Sequence, residues 1–96
     1  MGVTDDRLDG NAAAGLLQTI FPFEMTTAIT VCAGCGARGM IGELAVYAHG
    51  MGTVIRCPGC DTALIRIFQG NGHSWLDMRG VVSLRITEPL DEHQRP

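Results

Sequence analysis

The sequence predicts a small α+β domain, mostly β, in which one N-terminal helix precedes a series of antiparallel hairpins. Three observations predict it. The chain has 96 residues, enough for one domain that buries only a modest share of its surface. Apolar residues at helical spacing are confined to its first quarter, and from Thr26 onward the pattern changes to short alternating runs broken by glycine. Its four cysteines form two Cys-x-x-Cys pairs, and each pair follows an apolar run of strand character.

The elements follow in order. Residues 1–7 read as a flexible N-terminus, residues 8–86 as the domain and residues 87–96 as a flexible tail without apolar periodicity. A helix is predicted at about 9–21: Asp9 is its N-cap, Leu8 is placed to staple against Ala13, and Pro22 ends the run. Ala12, Ala13, Leu16, Leu17 and Ile20 share one face, which the amphipathic pattern assigns to the core. The small residues in it also suit close approach to another chain.

The β-rich part is predicted over about 26–86. "TAITVC" and "TVIRC" lead into the cysteine pairs, and "ELAVYAH" alternates Leu44, Val46 and Ala48 against Glu43, Ala45, Tyr47 and His49. Asn71-Gly72 predicts a two-residue type I′ hairpin, because both central positions need positive φ. That turn sets Gly70 opposite His73, Phe68 opposite Trp75, Ile67 opposite Leu76, Arg66 opposite Asp77 and Ile65 opposite Met78. "VVSLRI" supplies one further strand.

Composition removes several function classes. The 7 basic residues are all Arg, so a Schiff-base lysine and a P-loop lysine are both excluded. The formal charge is −3, and four thiolates around one divalent cation bring it to −5, which disfavours nucleic acid as a partner. There is no basic n-region with an apolar h-region and no apolar run long enough for a bilayer, so a cytoplasmic protein without membrane contact is expected.

In a reducing compartment, paired cysteines favour metal or redox chemistry over disulfides. Cys32-x-x-Cys35 and Cys57-x-x-Cys60 are separated by 21 residues. In each knuckle a glycine, Gly34 or Gly59, precedes the second cysteine, where a side chain is expected to crowd the turn. Gly36 and Asp61 follow it, where a left-handed backbone is expected. A metal site is the favoured reading; a dithiol redox couple and disulfides are the alternatives. Four thiolates leave no open coordination position, the mark of a structural ion and not a catalytic one.

With these knuckles the stretch from Val31 to Phe68 resembles the zinc ribbons, a resemblance that implies Cys32, Cys35, Cys57 and Cys60 as ligands of one zinc. "CAGCG" and "CPGCD" also echo rubredoxin, which makes iron, and with it electron transfer, the less favoured alternative. "LDGNAAAGLL", "CAGCG", "GTVIRCPGCD" and "WLDMRG" together resemble a family of short bacterial zinc-ribbon proteins of unknown function, over residues 8–86. That resemblance implies a fold and no activity.

No enzyme is expected. His73 and His93 read as solvated, and His49 can lie near the knuckles. Glu43 and Asp77 are outward strand positions without a second carboxylate, and Asp77 is expected to pair with Arg66. Among the arginines, Arg66 and Arg79 join Phe68 and Trp75 on one face of the hairpin. Arg and Trp anchor interfaces, so this face is the candidate interface of a protein-interaction or adaptor module. The alternative is a ribbon that contacts nucleic acid in transcription or translation machinery.

Overall fold

A computed structural model of the chain describes residues 7–50 and 52–87. The N-terminal residues 1–6, Met51 and the tail residues 88–96 lie outside the described residues, and with them most of both expected flexible ends and His93. The strands are β1 (Arg7–Asp9), β2 (Ile29–Cys32), β3 (Arg38–Met40), β4 (Ala45–His49), β5 (Gly52–Arg56), β6 (Ala63–Gly70), β7 (His73–Asp77) and β8 (Val81–Arg85), with one helix, α1 (Ala14–Ile20). They form two antiparallel sheets, a larger one in the order β1-β4-β5-β6-β7 and a smaller one in the order β3-β2-β8.

The helix is shorter than expected. Asp9 does cap it, its side chain accepting the Asn11 N–H at 3.1 Å, but the first turn, Gly10–Ala13, is 3₁₀ and α-geometry runs only from Ala14 to Ile20. Gly10 and Asn11 are poor helix formers, and the backbone at Gly10 is pressed against the Ile41 carbonyl, which tightens the turn. Leu8 does not staple to Ala13. It belongs to β1, opposite Val46, and is 48% exposed. Ala13 and Leu17 are buried in the chain's own core, with Leu16 and Ile20 packed against it, while Ala12 is exposed.

The core is built on the larger sheet. Val46, Ile55 and Ile65 form one cross-strand row, and Ile67 lies beyond it on the same face. Met25, Ala28, Ile41 and Leu44 fill the space toward the helix. Burying aliphatic side chains of this size contributes about 1.5–3 kcal/mol each, which is how a short helix is held without intrinsic helical stability. Alternation fails in β4, where Ala45 is buried and Ala48 exposed. Glu43 is not on a strand but ends a 3₁₀ turn, Ile41–Glu43, and its carboxylate accepts the Met40 N–H at 3.3 Å.

The β6–β7 hairpin has the expected register from Gly70↔His73 to Arg66↔Asp77, and Asn71 and Gly72 take φ of 53° and 78°. The ladder stops there, so Ile65 has no partner in Met78. Asp77 bends the chain by accepting the Arg79 N–H at 3.0 Å on its own carboxylate.

Gly80 joins the sheets. Its carbonyl accepts the Ala33 N–H at 2.8 Å, and its Cα faces backbone atoms of Ala63 and Leu64 so closely that a Cβ there would lie 2.7 Å from the Leu64 Cα. Neither neighbour is a flexible side chain that can swing away. Gly80→Ala is therefore expected to destabilise the fold by about 3 kcal/mol. Gly15→Ala, with nothing within 4 Å of the new methyl group, should stabilise it by about 0.5–1 kcal/mol. Denaturant titration of the two variants measures this difference, and comparable midpoints would refute the close-packing account.

Candidate metal centre

Each cysteine pair sits in the turn of a hairpin, the first between β2 and β3 and the second between β5 and β6. The two turns are built alike. The Gly36 and Asp61 N–H groups donate to the Cys32 and Cys57 carbonyls, both at 2.8 Å, and the Cys32 and Cys57 N–H groups donate to the Ala37 and Thr62 carbonyls, both at 2.9 Å. Gly36 and Asp61 close these turns in the left-handed region, with φ of 77° and 67°, as expected from their position after the second cysteine.

A bulge lies on the strand paired beside each turn. Between β5 and β6 the register shifts at Ile55/Arg56, so Leu64 is an extra residue, and Leu64 and Ile65 are both buried despite being adjacent. Between β2 and β8 the shift falls at Val31/Cys32 and leaves Val82 unpaired. The first cysteine of each pair turns inward and the second outward: Cys32 and Cys57 are buried, and Cys35 and Cys60 are exposed.

The four sulfurs lie within 4.8 Å of one another. The shortest separations run across the knuckles, Cys32 to Cys60 at 3.6 Å and Cys35 to Cys57 at 3.7 Å. Separations of this size suit a tetrahedral ion bound at about 2.3 Å from each sulfur. The Gly34 N–H donates to Cys32 Sγ at 3.2 Å, and the Thr62 hydroxyl lies 3.0 Å from Cys60 Sγ. Gly34 is required as expected, since a Cβ there would sit 3.2 Å from Cys60 Sγ and collide with the Thr62 hydroxyl. Gly59 is not crowded, because its nearest contact would be Cys57 Sγ at 3.7 Å.

The thiols differ in acidity. Burial pushes Cys32 up, but the N–H groups of Cys35 and Gly34, together with the Cys60 and Cys35 thiols, outweigh it and bring Cys32 down to about 6. For Cys35 the Ala37 N–H pulls down, but the sulfurs of Cys60 and Cys57, with burial and Cys32, push it up to about 11. Cys60 is lowered by the Thr62 hydroxyl and the Thr62 N–H. Cys32 and Cys60 are thus the more acidic sulfurs and Cys35 resists ionisation beside its neighbours, a repulsion that a bound cation would relieve. The donor set fits a soft divalent ion.

The second knuckle is braced to the larger sheet. Arg56 donates to the Asp61 carbonyl at 2.9 Å, and its guanidinium lies 6.0 Å from the Tyr47 ring centroid. Arg56 flanks the second knuckle in the sequence; Thr62 and Gly80 also support the site, and spacing does not single them out. A hydroxyl two residues after a ligating cysteine was the readable signal for Thr62. The His49 backbone pairs with Gly52, at the end of the β4–β5 hairpin away from Cys57.

Of the four candidate interface residues, Phe68 and Trp75 are cross-strand partners, 46% and 56% exposed, and Arg66 is exposed two positions along from Phe68 on the same face. The His73 ring stands 5.9 Å from that of Trp75. The expected Arg66–Asp77 ion pair does not form. Asp77 instead holds Arg79 through both carboxylate oxygens, at 2.9–3.2 Å, because the turn that caps the Arg79 N–H delivers that guanidinium locally. The Arg79 side chain and N–H hold the Asp77 carboxyl below its usual range, with a smaller share from the Arg66 charge. Arg79 therefore lies beyond the strand end, next to the aromatic face rather than within it.

Two antiparallel sheets whose cysteine turns come together define a small α+β protein with a four-cysteine candidate metal centre. The chain belongs to the family of unknown function DUF6510, whose model it matches over residues 4–89. No curated protein and no solved structure matches it significantly. No helix among the described residues is long and apolar enough to cross a membrane.

Proposed function

We propose that this chain is a zinc-stabilised protein-interaction module of a reducing, cytoplasmic setting, without catalytic activity of its own. The observation that carries this is the pairing of a closed all-thiolate site with an exposed aromatic face on the sheet that the site anchors. Four cysteine sulfurs complete a tetrahedron, so the ion holds the fold and leaves no position for substrate. The cavity beside Cys32 and Cys57, about 130 Å³, is smaller than the usual site for a metabolite-sized ligand. Trp75 and Phe68 are large apolar groups left in water on the sheet face that also carries exposed Arg66, the composition of an interface anchor.

The test is capture of partners on immobilised protein. Trp75→Ala and Arg66→Ala should each weaken capture by about 2 kcal/mol or more, whereas Gln18→Ala, at an exposed helix position, should leave it unchanged. Metal content and circular dichroism verify that each variant is folded. Folded variants that retain every wild-type partner would remove this face from consideration.

A further inference from the structure

We infer that β7 is a self-association edge: it pairs, antiparallel, with β7 of a second copy about a twofold axis through Trp75, joining two five-stranded sheets into one. The inference rests on the reading of the Trp75 face as an interface and names a second copy as its partner.

β7 is the one edge strand among the described residues that nothing blunts. At the other edge of the larger sheet, β1 has three residues and runs straight into a 3₁₀ turn. In the smaller sheet, β3 has three residues, and β8 carries the bulge at Val82. β7 has five residues, four of them exposed, with no proline, no lysine and no bulge. Natural edges of that kind are ordinarily protected. Among the described residues, the segment that directly follows β7 does not cover its edge, since Gly80 lies against Ala63 and Leu64 of β6, on the inner side of the strand.

The backbone polarity is self-complementary. A two-residue loop makes Gly70 and His73 a hydrogen-bonded pair, and so Phe68/Trp75 and Arg66/Asp77 as well. His73, Trp75 and Asp77 thus use their N–H and C=O groups on β6, while Ser74 and Leu76 point theirs outward. With Trp75 on the axis, Ser74 of each copy faces Leu76 of the other, and every outward N–H and C=O in the strand finds a partner. An axis at Ser74 would instead set Leu76 against the turn residue Gly72, and an axis at Leu76 would set Ser74 against Met78 beyond the strand end.

Side chains agree with the same register. His73 of one copy opposes Asp77 of the other. The two Trp75 residues form a non-hydrogen-bonded pair, the closest kind of cross-strand neighbour, and extend the Phe68–Trp75 pair into a row of four aromatic rings.

Sedimentation equilibrium over about 1–200 µM tests this, read together with the emission of Trp75, the single tryptophan of the chain. The zinc-loaded protein should pass from monomer to dimer as its emission shifts to shorter wavelength. Ser74→Pro removes an outward N–H that the hairpin does not use, and should raise the dissociation constant at least about tenfold with metal content unchanged. His73→Asp opposes like charges across the axis and should also raise it, which keeps the test decisive if Ser74→Pro fails to fold. A monomer throughout the range, or a dimer that folded Ser74→Pro and His73→Asp both leave intact, overturns the inference. A monomer that still captures partners through Trp75 leaves the interaction-module reading standing; a dimer weakened by both variants, without any Trp75-dependent partner, supports self-association alone.

Discussion

Cys57→Ser is expected to leave the chain without a stoichiometric metal ion, whereas the wild type is expected to carry one per chain. Cys57 is buried and stands 3.7 Å from Cys35 across the knuckles, so a serine hydroxyl there removes a soft ligand that water cannot replace from inside the core. Elemental analysis of protein purified without added metal measures the effect. A visible spectrum distinguishes zinc, which is silent, from iron, which is strongly coloured in a tetrathiolate site and would turn the reading toward electron transfer. A folded Cys57→Ser protein that still retained one tightly bound ion would end the four-ligand assignment.

Removal of the ion by a chelator should have the larger energetic effect. A structural zinc contributes about 10–16 kcal/mol at neutral pH, of the order of the whole net stability of a small domain. The two cysteine turns belong to different sheets, so without the ion the repulsion between sulfurs acts where the sheets meet. Hydrogen exchange over residues 31–68 should lose its protection on chelation. The amides of Cys32, Gly36, Cys57 and Asp61, which close the turns, should be the first to exchange. Full protection in the metal-free protein would mean that the aliphatic rows of Val46, Ile55, Ile65 and Ile67 suffice to hold the sheets.

Local backbone demands made parts of this structure legible in advance. Asn71-Gly72 set the register of β6 against β7 because its turn admits few residue types, and Gly36 and Asp61 announced the left-handed ends of the knuckles for the same reason. The cysteines themselves were legible from spacing. What spacing did not carry was non-local. The pairing of β8 with β2, which divides the strands into two sheets, depends on contacts between the ends of the domain. The bulge at Leu64 broke the period-two pattern that sorts strand faces, and the turn at Asp77 gave its carboxylate to Arg79 in place of the residue across the ladder. The exposed aromatic pair was readable from register, but its place on a sheet edge emerged only once the order of strands was known.

The way the cysteine turns meet also shortens the chain in a topological sense. Val31 and Ser83 are cross-strand partners 52 positions apart, 83 minus 31. Once an ion links Cys32 to Cys60, the path between them is one position to Cys32, a step across the ion, and 23 positions from Cys60, 83 minus 60. Closing the shorter loop costs about 0.7 kcal/mol less entropy. The ion thereby lowers the effective contact order of the β2–β8 pairing and favours a sequence of assembly in which the knuckles close first and the last strand arrives at a site already formed.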